Sequence, residues 1–147
     1  MPVPVTPLIA ADILIELIDR PGRPIVLIER RNPPYGWAIP GGFVDVGESV
    51  EAAAIREAEE ETALRVRLTA LLGVYSDPAR DARGHTASVV YVAEAQGEPR
   101  AQDDARALGV FSPDHPPEPL AFDHVRILAD YRAYRQTGRP PAPGGNR

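Results

Sequence analysis

The chain has 147 residues, 44% hydrophobic and 25% charged, which suits one soluble domain burying roughly two-thirds of its unfolded surface. A net charge of −5 leaves no basic field for nucleic acid, so a phosphate-bearing ligand must be small and met by a local cation. With no cysteine, disulfide frameworks and thiolate metal ligands are excluded. The start, MPVPVTPLIAADILIELID, lacks the basic residues and long apolar core of a secretion signal. No apolar run reaches the roughly 18 residues of a membrane span, so a cytoplasmic protein is expected.

In chain order, LIAADILIEL and PIVLIER read as two strands joined by a hairpin through the turn signal DRPGRP. GWAIPGG is a short apolar piece broken by Pro40, Gly41 and Gly42. From Ser49 to about Thr62 the composition switches to helix formers, with Ser49 as N-cap and Glu51 placed to suit the helix dipole. VRLTALLGVYS and TASVVYVAEAQ are β-branched and aromatic strands, and ALGVFSP is a shorter one. FDHVRILADYRAYRQT reads as a closing amphipathic helix, with Val125, Leu128, Tyr131 or Arg132, and Arg135 at helical spacing. Seventeen prolines cluster at the ends and in loops, and the segment from Gly138 has nothing to bury. The expected organisation is one α+β domain over residues 1–137 and a flexible tail over 138–147.

The middle helix poses an electrostatic problem. On a wheel of about 100° per residue, Glu57, Glu60 and Glu61 share one arc of about 100°. Ile55, Ala58 and Thr62 fall on another side, which reads as the packing face. Like charges at this spacing weaken a helix by a few tenths of a kcal/mol per pair, and Arg56 is the one cation beside them. A solvated acidic face is the plain alternative, but such faces normally interleave more Lys and Arg. Convergent carboxylates next to a Gly-Gly turn, which can expose a backbone carbonyl, suit Mg²⁺ or Mn²⁺ instead. A bound divalent cation removes the repulsion.

These residues also fall into a longer register. Gly42, Glu48, Arg56-Glu57, Ala58, Glu60-Glu61 and Leu64 resemble the Nudix box: Gly, five residues, Glu, seven residues, Arg-Glu, hydrophobic, any, Glu-Glu, any, Gly, hydrophobic. One position departs, with Ala63 where the box has its second glycine; left-handed backbone there would cost alanine roughly 1 kcal/mol. The resemblance implies a Nudix-type α/β/α sandwich with a mixed central sheet, one catalytic helix and a C-terminal helix. It implies metal ligation by Glu57, Glu60 and Glu61 with the Gly41 carbonyl. It further implies that Glu48 and Arg56 pair and hold the loop to the helix, and that water attacks a phosphorus of a nucleoside diphosphate derivative. The general base would be Glu57 or Glu60, or else a carboxylate in GEPRAQDDARA, where Glu98, Asp103 and Asp104 stand.

Pro78, 15 residues beyond Ala63, together with ERRNPPYGWAIPGGFVDVGES and LAFDH, resembles the ADP-ribose pyrophosphatase subgroup. That implies hydrolysis to AMP and ribose 5-phosphate with Mg²⁺ as cofactor, Mn²⁺ being the alternative. Arg80 and Arg83 would hold phosphate, His85 would donate to a ribose or phosphate oxygen, and Tyr35 or Trp37 would stack on adenine or else pack. Phe122 and His124 would edge the pocket or cap and pack the last helix. A MutT-like nucleoside triphosphate pyrophosphohydrolase, or a dinucleotide or sugar-nucleotide hydrolase, would share every box residue. A non-catalytic ADP-ribose sensor is the alternative outside enzymes. A homodimer is compatible with the resemblance, with the apolar first strand at the contact.

Overall fold

β1 (Leu8–Leu17) is the spine of the molecule, and its sequence LIAADILIEL explains why. Ala11, Ile13, Ile15 and Leu17 bury on one face, whereas Leu14 buries on the other. A strand covered on both faces carries a nearly continuous apolar run instead of a clean alternation. The computed structural model describes residues 2–102 and 105–144. Within them follow β2 (Ile25–Arg30), β3 (Trp37–Ala38), β4 (Gly41–Phe43), α1 (Val50–Thr62), β5 (Arg67–Tyr75), β6 (Thr86–Ala95), β7 (Ala105–Phe111) and α2 (His124–Thr137).

The strands form one mixed sheet ordered β3-β2-β1-β6-β5, with β4 added on β1 and β7 on β2. β1 and β6 run parallel from Leu8↔Thr86 to Leu17↔Ala95, and the expected β1–β2 hairpin is antiparallel. Because β6 fills one edge of β1 along its whole length, β2 and β4 must share the other. β2 meets β1 at Glu16↔Ile25, while β4 takes over at Ala10↔Phe43 through Asp12↔Gly41. β2 therefore leaves β1 halfway and continues against β7 and β3. That divergence opens a cleft beside the N-terminal half of β1. α1 packs on one face of the sheet and α2 on the other, giving the α/β/α sandwich expected from the box. No helix among the described residues is long and apolar enough to cross a membrane.

α1 begins as its sequence requires, with the Ser49 hydroxyl accepting from Ala52 N at 3.0 Å. Its packing face differs from the wheel reading. Ala53, Ala54, Ala58, Glu61 and Thr62 are buried, whereas Ile55 is 42% exposed. Small side chains let the helix approach the sheet closely, and that approach rotates Ile55 outward and draws Glu61 in. The acidic face and the packing face thus overlap at Glu61.

Ala63 ends α1 at φ 65°, the left-handed conformation a glycine would take, with its N–H donating to Glu59 O at 2.9 Å. The helix stop is kept and the alanine bears its strain. Ala63→Gly should therefore stabilise the fold by up to about 1 kcal/mol, raising Tm by roughly 2–4 °C in calorimetry. An unchanged or lower Tm would contradict this account.

The closing helix also shifts from its expected stripe. His124, Ile127, Leu128 and Tyr131 are buried, while Val125 is 62% exposed. These four positions follow the i, i+3, i+4, i+7 pattern of a single face. Tyr131 donates its hydroxyl proton to Glu16 Oε2 at 2.6 Å, which explains how an acid survives inside β1. α2 stops at Gly138, whose φ of 72° closes the last turn through a bond to Tyr134 O.

Candidate active site

The cleft beside β1 has a volume of about 360 Å³ and gathers residues from β1, β2, β4, α1 and the loops after β5 and β7. Its acids are Asp12, Asp45, Glu57, Glu60 and Glu61. Arg30, Arg80 and Arg83 line the same cleft, with Asp81, Phe43, Phe122 and His124.

Gly41 and Gly42 form the floor beneath the acids, and the space above them is already taken. A Cβ on Gly41 would fall 2.1 Å from Asp12 Oδ1 and 2.3 Å from Ala11 O. A Cβ on Gly42 would fall 2.5–2.6 Å from the Glu57 carboxyl group. The two glycines therefore allow carboxylates to rest directly on backbone. Gly41→Ala meets backbone as well as side chain, and should destabilise by about 1–3 kcal/mol, read as a lower urea midpoint. A wild-type midpoint would mean that the floor is softer than its geometry implies.

Glu61 is 6% exposed, and its Oε1 accepts from Gly41 N at 3.1 Å. Burial pushes its carboxyl up to about 8, with Glu57 and Asp12 adding repulsion and the Gly41 N–H opposing. Asp12, joined to the Ser88 hydroxyl, rises to about 6 for the same leading reason. Glu57 is also raised by burial, against the pull of Arg56. Arg56 is the hub of the outer part. Its Nη1 donates to Glu57 at 2.8 Å and to Glu60 at 3.2 Å. Its Nε and Nη2 donate to Glu48 at 3.0 and 2.5 Å, and Nη2 also donates to Phe43 O. Glu48, held by Arg56 and by Asp45 N, is lowered to about 2. This pair ties the 42–48 loop to α1, the arrangement the box resemblance implies.

The donor set fits a hard divalent cation. It is all oxygen, and the Glu57 and Glu61 carboxyls rest against the Gly41–Gly42 backbone. Burial beside Glu57 and Asp12 raises Glu61 to about 8, a cost that a nearby cation would relieve. As they stand, however, Glu57 and Glu60 lean on Arg56, and among the described residues no three acidic or histidine side chains are drawn into a ready ligand cluster. Ligation would require these carboxylates to turn from the guanidinium toward Glu61.

This arrangement has counterparts in known proteins. A NUDIX domain model matches residues 7–131. The chain belongs to the Nudix hydrolase family. An ADP-ribose pyrophosphatase of Methanocaldococcus jannaschii is 44% identical over 132 residues, covering 88% of this chain and 75% of that protein. Two solved structures share the fold. The NUDIX domain of Shewanella oneidensis NrtR, crystallised with ADP-ribose, has TM-score 0.77 and 27% identity, with 90% of each chain covered. A bifunctional NMN adenylyltransferase/ADP-ribose pyrophosphatase of Francisella tularensis, complexed with AMP and a manganese ion, has TM-score 0.69 and 27% identity. That match covers 84% of this chain and 40% of the other.

Around the Nudix cleft, the structure separates the residues singled out for substrate. Arg80 and Arg83 both line it. Arg80, with a side chain 4% exposed, is spent on Asp123, donating through Nε at 3.0 Å and Nη2 at 2.7 Å. Arg83 is forked onto Asp81 but keeps a side chain 45% exposed toward the cleft. Trp37 is outside the lining and packs edge-on against Phe111 at 5.2 Å. Alternation along β3 explains this, since Ala38 takes the cleft side. Pro78 and His85 are also outside the lining; His85 Nε2 donates to Ser76 O at 2.9 Å and so closes the β5–β6 loop. Glu98 pairs with Arg20 away from the cleft, while Asp103 and Asp104 lie outside the described residues.

Sequence reading passed over Asp12, Arg30, Asp45, Phe43 and Asp81. One signal was available for Asp12: an acid inside an apolar strand is rarely fully buried without a partner or a task. His124, expected to edge the pocket or to cap and pack the last helix, lines the cleft and is buried. Its Nδ1 accepts from Ile39 N at 3.0 Å, and burial lowers its pKa to about 3.

Proposed function

We propose that this Nudix hydrolase splits ADP-ribose into AMP and ribose 5-phosphate, using Mg²⁺, with Mn²⁺ as an alternative ion. The observation that carries the reading is one cleft of about 360 Å³ lined both by acids against a glycine floor and by arginines. The two groups match the two needs of pyrophosphate hydrolysis, a cation site and an anion site. The relatives named for ADP-ribose support the substrate.

Glu57, Glu60, Glu61 and the Gly41 carbonyl would hold the ion. The chemistry such an ion supplies is neutralisation of phosphate charge and a lowered pKa for the attacking water. Glu48 and Arg56 hold the 42–48 loop to α1, and Glu57 and Glu60, now bonded to Arg56, would turn from it to hold the ion. Glu57 or Glu60 takes the proton of the attacking water, both being within the cleft, unlike Glu98. Arg83 meets the diphosphate, and Arg80 acts by holding Asp123 and the start of α2.

The test is a panel of ADP-ribose, nucleoside triphosphates, dinucleotides and sugar nucleotides with Mg²⁺ or Mn²⁺, products resolved by chromatography. AMP and ribose 5-phosphate from ADP-ribose are expected. Efficient release of pyrophosphate from a nucleoside triphosphate, with ADP-ribose untouched, would replace this reading with the MutT-like one.

A further inference from the structure

Phe122 precedes the N-cap of α2 with φ 54°. Left-handed backbone crowds the Cβ of an aromatic residue, and such outliers persist where their surroundings impose them. Here the surroundings do so on both sides. Ala121 N donates to Trp37 O at 2.8 Å, Asp123 is gripped twice by Arg80, and His124 accepts from Ile39 N. The ring so placed lines the cleft.

Two guanidinium groups lie over that ring, Arg30 at 4.9 Å and Arg83 at 5.2 Å from its centroid. Arg83 also lies 5.7 Å from the Phe43 ring. Cations and rings thus alternate from β2 to β4 along the cleft. Each cation is anchored at its own base, Arg30 Nε on Pro34 O and Arg83 on Asp81. Two like charges gathered at one ring repel each other, and the ring's negative face offsets part of that cost. Asp81 screens Arg83 further, yet that arginine keeps a side chain 45% exposed and both guanidinium groups line the cleft, within reach of one anion.

We propose that Phe122 is a positioning residue that sets the spacing of Arg30 and Arg83 so that both meet the phosphoryl oxygens of the substrate diphosphate. The proposal rests on the pyrophosphohydrolase reading above, and deepens it. Phe122 touches no reacting atom; it acts through the two arginines.

The test compares Phe122→Leu, which keeps apolar bulk, Phe122→Gly, which relieves the backbone, and Phe122→Tyr, which keeps the ring. With ADP-ribose, Leu and Gly should each raise KM about tenfold with kcat within about threefold, and Tyr should bring KM back near wild type. Gly also removes the ring's packing against the Ile28, Ala38, Ala105 and Ala121 cluster. Leu keeps apolar bulk there, so it is the variant whose Tm should stay near wild type while affinity falls. An unchanged KM in the Leu and Gly variants would overturn the proposal, as would a fall in kcat alone. If wild type leaves ADP-ribose intact, the substrate reading fails, and calorimetric binding of inorganic pyrophosphate with Mg²⁺ decides the proposal separately. Pyrophosphate binding about tenfold weaker in Phe122→Leu supports it. Equal binding, or none by wild type, overturns it.

Discussion

Glu61→Gln should lower kcat for ADP-ribose by about 10²–10³-fold while leaving the protein folded and, without divalent metal, more stable than wild type. The two halves of this expectation come from one fact. Glu61 is buried beside Glu57 and Asp12, so its charge is costly in the folded state and its carboxyl rises to about 8. Glutamine keeps the shape and an oxygen for the Gly41 N–H, but removes the charge a cation would need. Glu59→Gln, on the same helix but exposed and paired with Arg65, is the control and should leave kcat unchanged. Steady-state kinetics and thermal melts in EDTA read both halves. Wild-type turnover in Glu61→Gln would remove Glu61 from the cation site. A loss of turnover accompanied by a lower Tm in EDTA would show a folding defect instead.

The parts of this molecule that follow from local rules were legible in its sequence. The β1–β2 hairpin, the Ser49 cap, the extent of α1 and the order of strands around it all come from propensity, turn residues and capping chemistry. The carboxylates were legible because their spacing is itself a local pattern. What escaped depends on contacts between distant segments. Ile55 looked like a packing residue, but how closely α1 sits on the sheet is set by Ala54 and Ala58 against Ala11 and Ile13. Trp37 looked like an adenine platform, but a two-residue strand between β2 and the glycine floor turns it toward Phe111. Arg80 looked like a phosphate ligand, but its partner Asp123 lies 43 positions away along the chain. Asp12 was hidden for the opposite reason: the apolar run around it disguised a cleft residue as core. Side-chain charge is visible in a sequence, whereas the partner that spends the charge is not.

Stability without metal should depend on pH from both directions, and Mg²⁺ should correct only one of them. His124 has a folded pKa of about 3, below its unfolded value of 6.5, because burial excludes the charged ring. Its contribution is complete above about pH 6.5 and is lost as pH falls toward 3, by at most about 1.4 kcal/mol per pH unit. Glu61 behaves oppositely. Its folded pKa of about 8 exceeds the unfolded 4.5, so its contribution is complete below 4.5 and is lost as pH rises through 8. Tm in EDTA should therefore pass through a maximum at mildly acidic pH. A cation held by Glu61 competes with its proton, so Mg²⁺ should raise Tm by several degrees near pH 8.5 and hardly at all near pH 5. His124→Asn, whose side-chain oxygen can accept from Ile39 N, should flatten the acid limb alone. Glu61→Gln should flatten the alkaline limb and abolish the Mg²⁺ effect. Calorimetry across pH 4.5–9 separates the two groups. A Mg²⁺ shift of equal size at both ends of that range would mean that the ion binds without displacing the Glu61 proton, and the acids of the cleft would lose their claim to the metal.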